Sequence, residues 1–286
     1  MDAIETAMVC LYLRGLRSCG TPRRRWPMVL EALRESSCRC QSAAIAALQS
    51  AALFEESACL RDAAHWARAE RLVSSGAALG VSNAAYPARW RRVLGASSPA
   101  ALWAAGPPPL GGPRFVAVVG SRTPTDDAAK AVTTCVREIG AMGFGIVSGG
   151  ARGIDRLALE VAQKHQIPML VLLPAISSTS APSLSMNHSG AKCQSASFME
   201  RNVLIYAAAE YAIAFGPRFK EGGTWHGALE AHRRRLTKIL VYSEDNLGAR
   251  ALISIGIGPY DPAEGLASAL AHRGPQHHLP MAEPWG

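Results

Sequence analysis

Two glycine turns, each closing an apolar run and each carrying an arginine, are the residues of this chain best suited to chemistry. The first is Val116-Ala117-Val118-Val119-Gly120-Ser121-Arg122, and the second is Gly145-Ile146-Val147-Ser148-Gly149-Gly150-Ala151-Arg152-Gly153-Ile154-Asp155. A strand that ends in glycine lets the main chain approach an anion, and the helix after it offers unpaired N–H groups and the positive end of its dipole. Arg122 and Arg152 add forked donors that match phosphate oxygens. The pairing predicts a cationic phosphate cradle. Three later segments are expected to converge on it: Glu200-Arg201-Asn202, Gly216-Pro217-Arg218-Phe219-Lys220 and Glu221-Gly222-Gly223-Thr224-Trp225-His226. Arg201 and Lys220 would neutralise phosphates, and Gly222 and Gly223 would admit a backbone or a ring. Thr224 serves equally as a helix cap or as a donor to the anion.

Other chemistries fit poorly. Gly149-Gly150-Ala151-Arg152-Gly153 is not Gly-x-Gly-x-x-Gly, and Arg152 falls where close approach to a pyrophosphate needs a small residue. No Walker pattern occurs, and no Ser-His-Asp or Cys-His set is supported by spacing. Asp155 opens a helix, so a cap or an ion pair with a nearby arginine is its expected role rather than acid or base. Seven cysteines, Cys10, Cys19, Cys38, Cys40, Cys59, Cys135 and Cys193, are irregularly spaced with no Cys-x-x-Cys pair, which predicts reduced thiols and no metal site.

The elements that must position the turns are readable from periodicity. Residues 1–75 are rich in Ala, Leu, Arg and Glu and predict a small helical N-terminal domain; Arg23-Arg24-Arg25 beside Trp26 reads as a solvated helix start. Residues 76–113 turn to Gly, Pro, Ser and Ala and read as a connector, within which Tyr86-Pro87-Ala88-Arg89-Trp90 opens a short helix packed against the next domain. Residues 114–262 alternate strands and helices. Strands are expected at Phe115 to Val119, Phe144 to Ser148, Ile167 to Leu173, Tyr211 to Phe215 and Lys238 to Tyr242. Helices are expected after the two glycine turns, from Met199, after Gly223 and from Gly248, with Ala129, Val132, Val136 and Ile139 facing inward on the first. Leu173 to Ser197 reads as a loop, and 263–286 as a C-terminal tail. The fold class is therefore α/β, an extended Rossmann-like, doubly wound, mostly parallel sheet preceded by helices, with ligands beyond the carboxyl ends of its strands.

The chain's 286 residues suffice for one larger and one smaller domain. Thirty Lys and Arg against 22 Asp and Glu give a formal charge of +8, which points toward an anionic partner without naming it. Met1-Asp2-Ala3-Ile4-Glu5 lacks the basic start of a secretory leader, and no apolar run approaches the roughly 18 residues of a membrane span. The cytoplasm is the expected compartment, with no membrane partner.

From Tyr86-Pro87 to about Tyr260 the ordered series Val119-Gly120-Ser121-Arg122, Ser148-Gly149-Gly150-Ala151-Arg152-Gly153-Ile154-Asp155 and Glu200-Arg201-Asn202 resembles the DNA-processing protein A family, also called DprA or Smf. The resemblance implies a Rossmann-like domain that binds single-stranded DNA, passes it to a RecA-type recombinase, typically in natural transformation, and forms a homodimer. It implies no cofactor and no chemical reaction. By position it gives Arg122, Arg152 and Arg201 the backbone phosphates, and Gly149, Gly150 and Gly153 the shape of the pocket. Lys220 falls near the family's basic position before the next helix. The expected binding set is thus Gly120, Ser121, Arg122, Gly149, Gly150, Arg152, Gly153, Arg201, Asn202, Lys220, Gly222, Gly223 and Thr224. Binding of this kind is sequence-tolerant and salt-sensitive.

The chain also departs from the family. Between Leu173 and Phe198 it lacks the family's Gly-rich turn, Tyr-Pro and Ser-Glu elements, Phe198-Met199-Glu200-Arg201-Asn202 replaces Phe-Pro-x-Arg-Asn, and no stretch corresponds to a C-terminal winged helix. These departures leave two alternatives. Gly222-Gly223-Thr224 and Glu230 are distantly similar to the signature of Lonely-guy-type nucleotide phosphoribohydrolases and related nucleotide sensors, with Glu230 or Asp155 as candidate acids. A third reading is an interaction protein presenting Arg233-Arg234-Arg235 as a basic face.

Overall fold

The computed structural model describes residues 2–13, 26–106, 114–176, 182–187 and 195–271. Arg23-Arg24-Arg25, Cys19 and Cys193 lie outside them. Five helices come first: α1 (Ala3–Leu13), α2 (Trp26–Glu35), α3 (Gln41–Ser50), α4 (Phe54–Cys59) and α5 (Ala63–Ser74). After them come β1 (Ala78–Gly80), α6 (Ala88–Leu94), β2 (Ala101–Ala105), β3 (Phe115–Gly120), α7 (Asp126–Ala141), β4 (Gly145–Ser148), α8 (Ile154–Lys164), β5 (Met169–Leu173) and β6 (Ser183–Ser185). The chain continues through α9 (Ser195–Ala208), β7 (Tyr211–Phe215), α10 (Gly222–Arg233), β8 (Lys238–Tyr242), α11 (Leu247–Ser254), β9 (Gly258–Tyr260) and α12 (Leu266–Ala271).

The strands form one sheet in the order β1-β2-β6-β5-β4-β3-β7-β8-β9. From β6 to β9 every pairing is parallel, while β1 with β2 and β2 with β6 are antiparallel. The α/β, mostly parallel expectation is thus met. The chain winds outward from β3 to β6 and then returns to lay β7 against β3, so the winding direction reverses between these two strands. In an open parallel sheet that reversal opens a crevice above the carboxyl ends.

Alternation along the strands sorts the core into two layers. Val116 and Val118 of β3 face α7, α8 and α12, whose Val132, Val136, Ile139, Ala158 and Leu266 are buried with them. Ala117 and Val119 face the other layer, which runs without interruption from α1 through α6, α9 and α10 to Leu252 and Ile257. The helix α7 is started by Thr125, whose Oγ1 accepts the Ala128 N–H at 3.1 Å, and by Asp126 and Asp127 in its first turn. Its buried stripe begins at Ala128, one residue before the expected Ala129.

Three expectations need correction. The 76–113 segment is not simply a connector, because β1 and β2 lie within it and extend the sheet. The loop from Leu173 to Ser197 contains β6, whose Ser183 and Ser185 are buried although polar. The tail from residue 263 begins with α12, held by a Leu266 N–H donated to Glu138 Oε2 at 3.1 Å.

The N-terminal helices are tied to the sheet by polar contacts from buried groups. Glu5 of α1, 3 % exposed, accepts the Gly80 N–H at 2.9 Å and the Asn83 amide at 2.8 Å to each carboxylate oxygen. Burial pushes its carboxyl above the usual range, and the two donors pull it partly back. Trp90 of α6, buried as the short-helix expectation required, donates its indole N–H to the Leu204 carbonyl of α9 at 3.0 Å. Glu5→Ala strands the buried Gly80 N–H and the Asn83 amide, so urea denaturation is expected to show a loss of about 1–3 kcal/mol. An unchanged midpoint would show that water reaches this junction.

Candidate functional site

The two glycine turns meet at the reversal point and interlock through their main chains. Gly153, with φ 88° and ψ −131°, stands before α8, where a Cβ would run into the Ser121 carbonyl and come within 2.7 Å of Arg122 Cα. That close approach lets the Ile154 N–H donate to the Ser121 carbonyl at 3.1 Å. Gly120 is small for the reciprocal reason, since a Cβ there would lie 2.7 Å from the Ile154 side chain. Gly150 takes φ 64°, and Gly216, at the end of β7, takes φ 61° with the Ser121 side chain 2.9 Å from where its Cβ would be. The ends of β3, β4 and β7 are thereby packed into one floor.

A buried ion pair fills the floor. Asp155 is 5 % exposed and accepts the Gly120 N–H at 3.1 Å as well as the N–H groups of Gly149 and Ala151. Arg201 comes up from α9, 8 % exposed, with Nη1 4.0 Å from Asp155 Oδ2. Gly149 makes room for it, because a Cβ there would overlap Nη1 and lie 2.9 Å from the carboxylate. Burial raises the Asp155 carboxyl above its usual range, and Arg201 opposes the rise. Burial likewise lowers the Arg201 guanidinium, which Asp155 opposes and the neighbouring Arg122 reinforces.

This arrangement corrects two site expectations. Arg201 is inside the floor rather than on it, so it braces the Gly149 turn instead of presenting its fork to an outside phosphate. The Gly120 and Gly149 N–H groups are likewise committed to Asp155 rather than left for an anion. Of the two roles expected of Asp155, a cap or an ion pair with an arginine, the structure shows the ion pair.

The groups left facing outward are Arg122 and Arg152, both exposed and without an ion-pair partner among the described residues. Opposite them the chain leaves β7 through a tight turn in which the Glu221 N–H donates to the Arg218 carbonyl at 3.0 Å and Lys220 adopts φ 59°. Arg218 is engaged by Glu221 at 3.6 Å, whereas Lys220 lies over the Phe219 ring with Nζ 5.0 Å from its centroid. The helix α10 then starts at Gly222 with Glu221 as its cap residue, which makes no side-chain cap. Thr224 therefore sits within the first turn and is not the cap. The exposed Gly222 and Gly223 leave this helix start open, with Asn202 Nδ2 3.2 Å from the point a Gly223 Cβ would occupy. Charge and dipole at this rim both favour an anion.

Glu244, at the end of β8, is a site neighbour the sequence does not single out. It accepts the Gly216 N–H, burial raises its carboxyl, and its Oε1 is buried without a hydrogen-bond partner. A single acid after a strand carries no pattern by which it could be found. Of the candidate acids of the hydrolase alternative, Asp155 is taken up by the floor, and Glu230 lies on an exposed stretch of α10, 3.8 Å from Arg234. Among the described residues no group of acids, histidines and cysteines is placed to hold a metal, and no helix is long and apolar enough to cross a membrane. Cys38, Cys40 and Cys135 are thiols.

Residues 77–185, the span from β1 through β6 that includes both glycine turns, match the family model of DNA recombination-mediator protein A. No curated protein matches the sequence. Among solved structures, the DNA processing protein A of Streptococcus pneumoniae is 20 % identical, with a TM-score of 0.71 over 94 % of this chain and 99 % of that one. The DNA processing protein A of Helicobacter pylori, a protein with a described single-stranded DNA binding mode, is 24 % identical. Its TM-score is 0.53 over 60 % of this chain and 88 % of that one. These likenesses establish a shared fold that extends through the N-terminal helices.

Proposed function

From the match of residues 77–185 to the family model of DNA recombination-mediator protein A, we propose that this protein binds single-stranded DNA by its phosphate backbone along the rim of the reversal-point crevice. The observation that carries the reading is the split between committed and uncommitted charge. Arg201 is neutralised inside the floor by Asp155, whereas Arg122 and Arg152 are held outward, unpaired among the described residues, on turns that cannot shift without breaking main-chain contacts. Unpaired cations on a rigid rim bind a phosphate chain with little ordering cost. Lys220, Gly222 and Gly223 form the facing rim, and Ser121 and Asn202 supply polar groups between them.

Binding is the whole of the proposed activity, without chemistry and without a cofactor. Transfer of the strand to a RecA-type recombinase in DNA uptake, homodimerisation and a cytoplasmic setting are supported by the family resemblance. The nucleotide-hydrolase reading is not favoured, since Asp155 is buried in the floor and Glu230 lies on an exposed stretch of α10 without the burial that would poise an acid.

The test is fluorescence anisotropy of a labelled oligonucleotide across a salt series, with duplex and mononucleotides as competitors. Arg152→Ala is expected to weaken single-strand binding evenly across sequences and to reduce the salt slope by roughly 0.7–1, the share of one phosphate contact. Unchanged affinity and slope would remove Arg152 from the interface, and displacement by a mononucleotide would transfer the site to a nucleotide sensor.

A further inference from the structure

Phe219 is an aromatic side chain 38 % exposed at the rim of the crevice, yet it is held from two sides. Its ring meets Trp225 at 5.2 Å between centroids and 73° between planes, and Trp225 is buried. Its main chain lies against the start of α11, where Gly248 leaves the space: a Cβ there would overlap the Pro217 carbonyl and come within 3.0 Å of the Phe219 nitrogen. The turn itself is closed by the Glu221 N–H to the Arg218 carbonyl, with Lys220 in the left-handed region. Lys220 Nζ stands 5.0 Å from the Phe219 ring centroid, and Leu247, 56 % exposed, extends the apolar surface at the start of α11.

The ring is thus fixed in place by Trp225 and the Gly248 contact while 38 % of it stays open to solvent beside an unneutralised lysine. We propose that Phe219 is a base-stacking platform, on which one nucleobase of the bound strand stacks while Lys220 swings from the ring to the adjoining phosphate. The inference rests on the single-strand reading and adds a base contact to a site so far described only by phosphate contacts. The occupant is a nucleobase rather than an apolar peptide, since the Lys220 ammonium stands 5.0 Å from the ring centroid and the open start of α10 at Gly222 and Gly223 follows directly, both favouring a ligand that carries a phosphate beside its flat face. Lys220 shields the ring from water by a cation–π contact in the free protein. A base replaces that shield with its own π-face and frees the ammonium for an anion. Every base presents such a face, so the contact is tolerant of sequence.

The experiment compares binding of oligodeoxythymidylate with binding of a strand of equal length made only of abasic sites, for the unaltered chain, Phe219→Ala and Phe219→Trp. Phe219→Ala is expected to weaken thymidylate binding by about 5- to 150-fold while leaving the abasic strand and the salt slope unchanged. Phe219→Trp, which keeps a ring against Trp225, is expected to restore thymidylate binding. Equal affinities of the alanine and unaltered chains for thymidylate would overturn the proposal. So would an equal loss on both strands, which would signal a displaced turn. If the unaltered chain binds neither strand, the single-strand reading itself fails, a result read before any variant is compared.

Discussion

Gly153→Ala is expected to lower the free energy of unfolding by about 4 kcal/mol or more, and to weaken the binding of single-stranded DNA in whatever fraction remains folded. Two effects add. A φ of 88° with ψ near −131° belongs to a region that is essentially glycine's alone and costs an L-residue about 1–3 kcal/mol. The added methyl would also run into the Ser121 carbonyl and the Arg122 backbone. These obstacles are main-chain atoms, so no side-chain rotation relieves them, and the two glycine turns must separate. Separation breaks the Ile154 N–H to Ser121 bond and moves Arg122 relative to Arg152, which is why binding should fall with stability. Gly143→Ala is the control: its φ is 76° but nothing lies within 4 Å of its Cβ, so only the backbone penalty of about 1–2 kcal/mol applies. Urea denaturation of the two variants measures the difference. Similar losses would mean that the turns are not interlocked.

The contrast between these glycines shows what a sequence can and cannot carry. The turns themselves were legible because glycine after an apolar run has few other uses. The strands β3, β7 and β8 were legible because segments buried on both faces must be continuously apolar, as Tyr211 to Phe215 is. β1 and β6 were not. Each has only three residues, β1 ends in glycine, and β6 places Ser183 and Ser185 where a valine would have announced a strand. Their positions are set by pairing, β1 against β2 and β6 between β2 and β5. Thr224 was readable as a cap only if α10 began three residues later; Lys220 turns the chain early and passes the cap position to Glu221. Within the site, Arg122, Arg152 and Arg201 are equivalent letters, and nothing local says which is buried. That distinction comes from Gly149, whose missing side chain opens the space beneath the turn, and from α9, which delivers Arg201 into it.

The buried pair beneath the turn yields the second large effect. Asp155→Asn removes the charge that faces Arg201 while keeping an oxygen for the surrounding N–H groups, and it is expected to cost about 3–5 kcal/mol because a guanidinium is left buried without compensation. Arg201 cannot shed its proton to escape that cost. Asp155 can escape the reverse one. In Arg201→Met the carboxyl loses its cation, and burial holds its folded pKa above the unfolded value near 3.8. A raised carboxylate binds more protons folded than unfolded between those two values, so stability declines as pH rises through that window. Arg201→Met should therefore lie nearest the unaltered chain in acid and fall away as the pH approaches neutral, and the loss in Asp155→Asn should likewise shrink in acid, where the carboxyl of the unaltered chain is itself protonated. Combining the two substitutions removes both charges, and the double variant is expected to be more stable than Asp155→Asn alone, a coupling that independent sites would not show. Additive losses in denaturation at neutral pH would mean that water reaches the pair and screens it. In that case Arg201 would be free to join Arg122 and Arg152 at the phosphate rim.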